Sequence, residues 1–282
     1  MKQLGITLAF FLLLNVFSSA QKVSQLSFDT ESIDTTLCDF VFPNPQTDAD
    51  LKELNQKYDL NKLIDQGETQ LDKAMILLNW TANRWKHNGS NRPKKNDALS
   101  ILAEVDEGKS FRCVEYGIVL AATLNSIGIP ARTLELKTRD VETTKYDAGH
   151  VVSEAYLSQF NKWVFMDGQV NYIPFMNGIP LNAVEYQNAV VNHRGQLELR
   201  SITGTLSKRQ ANKQIKWVSK YLFYFDTVFD SSKSREECRG KRKLMLVPLD
   251  AKNPTIFQIE YKIDNCIYTN RLKDFYREPK II

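Results

Sequence analysis

Apolar positions along the chain change period several times, and each change predicts an element. From Asp48, the residues Leu51, Leu54, Tyr58 and Leu60 fall on one helical face that ends near Gly67. Leu71, Ala74, Met75, Leu78, Ala82 and Trp85 repeat the same spacing and predict a second helix over 69–86. HNGSNRPKKND (87–97) breaks it with Gly and Pro. CVEYGIVLAATLNSIGIPAR (113–132) is apolar on nearly all sides, as a helix buried within a domain must be. Ser110 is placed to cap its start, and Gly128 followed by Pro130 stops it.

Beyond that helix the period shortens. ARTLELK (131–137) alternates as a strand, and residues 138–148 are polar and loop out. GHVVSEAYLSQFNKWVFMDGQ (149–169) reads as two strands, 149–157 and 162–168, around a short turn. NGIPLNAVEYQNAVV (177–191) is a loop leading to a short helix, and NKQIKWVSKYLFYFD (212–226) fits a basic helix or a strand. RKLMLVPL (242–249) and TIFQIEYKI (255–263) read as strands, with NCIYTNRLKDFY (265–276) after them. Residues 21–47, with Pro43 and Pro45, show no period and form an N-terminal extension. The expected division is therefore the extension, a main domain over 48–204, and a strand-rich region over 205–282. The last is either an accessory subdomain or extra strands on the main sheet.

Lys2, an apolar run from Leu4 to Phe17, and Ser18-Ser19-Ala20 form a signal-peptide pattern with cleavage after Ala20. The run is shorter than the ~20 residues of a spanning helix. Export to the periplasm or the extracellular space is expected, with no transmembrane span in the mature chain. Hydrophobic residues at 43% and charged residues at 25% are ordinary for a globular domain. Charge is uneven: residues 205–282 hold 17 Lys and Arg against 9 Asp and Glu, which suits an anionic envelope partner or a solvated basic face. No nucleic-acid motif, metal cluster or nucleotide loop accompanies it, so no cofactor is implied. Four cysteines in an oxidising compartment permit a disulfide. With Cys113 kept as a thiol, Cys238–Cys266 is the expected pair, since both lie in the strand-rich region, and Cys38 is left over.

Cys113 carries the candidate chemistry. A cysteine in the first turn of a helix faces unpaired N–H groups and the positive end of the dipole, which favour a thiolate. Of the three histidines, His87 follows a helix and His193 sits in the turn NHRG, whereas His150 opens a strand directly after Gly149. With the hairpin turn centred on Ser158 and Gln159, Glu154 faces Trp163 and His150 faces Asp167. Opposed residues lie on one face of the pair, so a carboxylate there can orient the imidazole while its other nitrogen serves the thiol. A slip of one residue would send His150 and Asp167 to opposite faces.

From about Leu71 to Val190 the chain resembles the transglutaminase-like superfamily of papain-like thiol enzymes. The resemblance is carried by AMILLNWTANRW, FRCVEYGIVLAATLNSIGIPAR, GHVVSEAYLSQFNKWVFMDGQ and NGIPLNAVEY. It implies an α+β fold in which a buried Cys-bearing helix packs on an antiparallel sheet, with Cys113 as nucleophile, His150 as base and Asp167 as orienting acid. Arg112 before the cysteine, Val152 two after the histidine, and Gly-Gln after Asp167 depart from the commonest pattern and leave the substrate open. Trp80 and Trp85 either line the cleft or back it. The implied reaction is acyl transfer on a peptide or protein amide, with hydrolysis expected ahead of cross-linking. A module that keeps the fold without turnover is the alternative.

Overall fold

A computed structural model describes residues 24–231 and 238–282; the expected signal peptide lies outside them. Among the described residues no helix is long and apolar enough to cross a membrane.

The first predicted helix forms as two pieces, α1 (Ala49–Lys57) and α2 (Leu60–Leu63), because Asp59 adopts a left-handed φ of 50° between them. Asp48 caps α1 by accepting from Leu51 N. α3 (Gln70–Ala82) starts at a Thr69/Asp72 capping box and ends three residues before Trp85. A helix not foreseen follows, α4 (Ala98–Asp106), capped by Asp97. Its nine residues lie between a Gly/Pro-rich loop and Gly108, too short a stretch to declare a period. α5 (Cys113–Ser126) runs through the centre of the helical layer and is walled by α1, α3 and α4. Leu120, Leu124, Val119 and Tyr116 of α5 are buried in one cluster with Leu77, Leu78, Ile101 and Leu102.

Six strands form the main sheet: β1 (Ala131–Lys137), β2 (Gly149–Leu157), β3 (Lys162–Met166), β4 (Tyr224–Val228), β5 (Lys243–Leu246) and β6 (Cys266–Thr269), in the order β6-β5-β4-β1-β2-β3. Neighbours are antiparallel except β5 and β6. Residues 205–282 thus add strands to the main sheet: β4 pairs with β1 through Glu135↔Asp226 and Leu136↔Phe225. TIFQIEYKI does not form one strand. Gln258 and Ile259 take positive φ and fold it into a hairpin, Ile256–Phe257 against Tyr261–Lys262. The segment 212–226 is helix and then strand: α7 (Lys208–Val218), after α6 (Ala183–Asn192), leads into β4. A further sheet, not foreseen, pairs Ile173–Met176 with Ile179–Pro180 and with Leu197–Ser201, which in turn pairs with Gly204–Thr205.

The segment before α1 is tied to the C-terminal part in two places. Val41–Phe42 pairs in parallel with Lys280–Ile281, and Cys38 is disulfide-bonded to Cys238. The expected Cys238–Cys266 pair does not form. Cys266 is the first residue of β6, buried against β5, while Cys238 precedes β5 in a turn that meets the N-terminal segment. Arg132 of the Gly-Ile-Pro-Ala-Arg sequence is fully buried and paired with Glu154 at 2.7 Å. Its guanidinium lies 4.3 Å from the Trp163 ring centroid and donates to Phe275 O at 3.0 Å, so one cation joins β1, β2, β3 and the C-terminal segment.

Candidate active site

Cys113 is half-buried at the first position of α5, where helix N–H groups have no intrahelical acceptor. The residues before it are held by the loop after α3. Asn88 N donates to Phe111 O at 2.8 Å, Trp85 Nε1 to the same oxygen at 3.3 Å, and Asn91 Nδ2 to Ser110 O at 3.0 Å. Trp85 stacks on Tyr116 with ring centroids 4.1 Å apart and so backs the helix. Trp80 packs edge-on against Tyr58. Ser110 is not the cap. The chain stays extended through Arg112, with φ −83° and ψ −179°, which leaves Ser110 two residues short of the helix start. Instead Arg112 N donates to Glu115 Oε2 at 2.9 Å, and the Arg112 guanidinium pairs with the buried Glu115 carboxylate at 2.6 Å. That carboxylate, two residues along from Cys113, has its charge balanced by the guanidinium.

The β2–β3 hairpin supplies the other two groups, in a register that differs from the expected one. Its turn is the 3₁₀ segment Ser158–Phe160, and the pairs are Ser153↔Met166, Glu154↔Phe165 and Tyr156↔Trp163. Each partner is displaced by two residues from the expected position, because the turn is centred one residue later. A displacement of two preserves the face, since side chains alternate with period two. His150 and Asp167 are therefore diagonal neighbours rather than opposed ones. The link is made directly: His150 Nε2 and Asp167 Oδ2 are 2.9 Å apart, with the residues 2% and 0% exposed. Asp167 Oδ1 accepts from Gln169 N at 3.0 Å and Val170 N at 3.2 Å, so the turn-forming role of this aspartate is also filled.

Nδ1 is the ring nitrogen left for Cys113, whose sulfur, as the acceptor side, favours the protonated ring. Burial opposes the imidazolium. The Asp167 charge, the Asp167 hydrogen bond and Cys113 together outweigh burial, and the His150 pKa rises to about 9.

Two glycines permit these side chains to meet. A Cβ at Gly117, one turn after Cys113, would stand 2.9 Å from Val151 Cγ1 and 3.1 Å from Val152 O. The missing side chain is what lets α5 lie against β2, where Ser153 Oγ donates to Gly117 O at 3.1 Å. A Cβ at Gly168 would meet Tyr116 O at 3.3 Å, so the residue after Asp167 abuts the same helix. Gly149 admits a ring from the C-terminal hairpin: its Cβ would lie 3.0 Å from Phe257 Cζ.

Two neighbours of the site were not singled out from sequence. Trp217 of α7 meets the His150 ring edge-on at 4.6 Å, and Tyr221 lies 5.8 Å from it. They come from a stretch whose spacing left helix and strand both open, so nothing local marked them. His87 is exposed beside the segment that precedes Cys113. Its pKa is lowered, first by partial burial and then by the positive charge of His150, while Glu115 and Asp167 oppose the change. His193 caps the far end of α6 and is exposed.

Residues 59–168 match the family described as the transglutaminase-like superfamily, a span that contains Cys113, His150 and Asp167. No curated protein matches the chain. Three solved structures resemble it in part. One is a Cytophaga hutchinsonii protein provisionally assigned as a cysteine protease, 18% identical over 51% of this chain and 46% of that one, with TM-score 0.36. Another is a TGase, 17% identical over 43% and 31%, TM-score 0.30. The third is a Parabacteroides distasonis protein provisionally assigned as a protease, 16% identical over 57% and 29%, TM-score 0.32. The chain spans less than half the length of each. Over the matched residues the fold is α+β and transglutaminase-like.

Proposed function

We propose that this chain, transglutaminase-like over residues 59–168, is a thiol acyl-transfer enzyme that hydrolyses peptide or other amide bonds. The observation that carries the reading is the buried His150, held through Nε2 by Asp167 and leaving Nδ1 to Cys113. In the proposed reaction the Cys113 sulfur, its proton taken by Nδ1, attacks the carbonyl carbon of an amide. The imidazolium returns that proton to the nitrogen as the C–N bond breaks, and the amine leaves. Water then gives a proton to Nδ1 as its oxygen attacks the thioester, and collapse releases the carboxylic acid and the Cys113 thiol. Asp167 stays ionised throughout and holds the ring. The Cys113 N–H is placed to receive the carbonyl oxygen as negative charge develops on it.

Export is part of the proposal. A disulfide between residues 200 positions apart in sequence is a device of oxidising compartments. Water outnumbers every acceptor amine there, which favours hydrolysis over cross-linking. The test incubates a glutamine-bearing peptide with a labelled amine and follows ammonia, free acid and label. Ammonia and free acid that vanish in Cys113→Ala support the reading. Predominant label incorporation replaces hydrolysis with cross-linking, and no product from any amide substrate leaves a module without turnover.

A further inference from the structure

The cover of the imidazole is also the most one-sided charged element in the sequence. Between Leu199 and Phe225 there is no Asp or Glu, and there are six cations: Arg200, Lys208, Arg209, Lys213, Lys216 and Lys220. α7 buries Ile215 and Val218 toward the body, while Lys208, Arg209, Lys213 and Lys216 are exposed. Its next residue after Lys216 is Trp217, the ring in edge contact with His150. The cationic face therefore begins one residue from the ring that covers His150.

A cavity of about 520 Å³ lies along the same segment. Its wall carries Arg139, Arg194, Lys216 and Lys220 against two carboxylates, Asp140 and Asp147. Lys220 and the Tyr221 hydroxyl both bond Asp147. Arg139 lies on the Phe223 ring at 5.0 Å, and Arg194 donates to Asn212 Oδ1 at 3.3 Å. Asp147 is thus engaged, and the four cations of the wall outnumber its two carboxylates. Tyr221 stands between Lys220 and Leu222 of that wall, with its ring 5.8 Å from His150.

We propose that the α7 face and this cavity receive an acidic peptide, so that the substrates of the site are amides flanked by Asp or Glu. The inference rests on the proposed function for its chemistry and on the surface alone for its charge preference. Concentrating like charge beside a cleft raises encounter rates with the opposite charge by roughly 10–10³-fold at low salt. An amide-bearing chain suits the adjacent thiol, which ranks an acidic peptide ahead of a non-peptide polyanion.

The test measures binding and chemistry separately. Fluorescein-labelled acidic, neutral and lysine-rich peptides of equal length are titrated into the Cys113→Ala chain and followed by anisotropy. The acidic peptide is expected to bind at least about tenfold tighter than the neutral one. That gain should disappear in high salt and in Lys213→Glu/Lys216→Glu. It should persist in Lys52→Glu/Lys62→Glu, which makes the same change in net charge on α1 and α2. Melting temperatures matched to the parent chain show that each variant folds. Chloroacetyl-capped versions of the peptides are then reacted with the parent chain. Preferential binding without faster Cys113 alkylation keeps the surface and removes the enzymatic reading. Equal binding of all three peptides overturns the inference, whatever the alkylation rates. Tight binding of a dextran sulfate probe with no preference among the peptides replaces the acidic peptide with a polyanion.

Discussion

Replacing Asp167 by asparagine isolates the charge that holds His150. In the parent chain the imidazole rises from the 6.5 of an ordinary histidine to about 9 although burial pushes it down. The substituted amide would keep a carbonyl oxygen for Gln169 N and Val170 N but present no negative charge to Nε2. Burial then remains with only Cys113 opposing it, and the midpoint falls by at least about two pH units. An amide N–H facing Nε2 also favours the tautomer with its proton on Nδ1, which disables that nitrogen as acceptor from the thiol. The sign of the linkage follows. A folded pKa above the unfolded one stabilises the protein fully below about pH 6.5, and the contribution is lost as pH rises through about 9. At 1.36 kcal/mol per pH unit it amounts to about 3 kcal/mol. Urea unfolding at pH 6, 7.5 and 9.5 should show a decline of that order in the parent chain and little of it in Asp167→Asn. NMR titration of the His150 Cε1–H reads the midpoint directly. A midpoint within half a unit of the parent in Asp167→Asn would refute the assignment of the shift to this carboxylate.

Gly117→Ala should destabilise the chain by about 1–3 kcal/mol, the usual cost of overpacking, because the new Cβ meets Val151 Cγ1 and Val152 O. Alkylation of Cys113 by iodoacetamide should slow in the same variant as α5 moves off β2; an unchanged rate and urea midpoint would show that the contact does not set the approach. Of the two free cysteines, Cys266 should resist iodoacetamide at pH 8, since burial and the neighbouring Asp226 charge push its thiol up to about 12. Mass spectrometry of the native chain is expected to find a single modified site, Cys113. Breaking the Cys38–Cys238 bond should lower stability by about 5 kcal/mol on the chain-entropy account. Urea midpoints with and without reductant measure that loss, and an unchanged midpoint would show that the segment around Cys38 is held by its backbone hydrogen bonds alone.

What the linear pattern determined by itself was the central helix and the hairpin after it, where local periodicity is strongest. The apolar run from Cys113 could be nothing but a buried helix, and the alternation around Ser158 made a hairpin with His150 and Asp167 on one face. That face survived a turn centred one residue later because a shift of two preserves parity. Tertiary structure decided what periodicity does not encode. Arg112 and Glu115, not Ser110, cap α5, because the backbone stays extended up to the helix. Cys238 found Cys38 across 200 residues because Val41 hydrogen-bonds Phe229 and Ser231 just beyond β4 and brings those segments together. Trp217 and Tyr221 came to cover His150 because β4 joins the sheet beside β1 and carries the preceding helix over the site. Contacts between residues so distant in the chain depend on sheet order, and sheet order is selected by the summed burial of whole faces, a quantity that no single stretch of sequence contains.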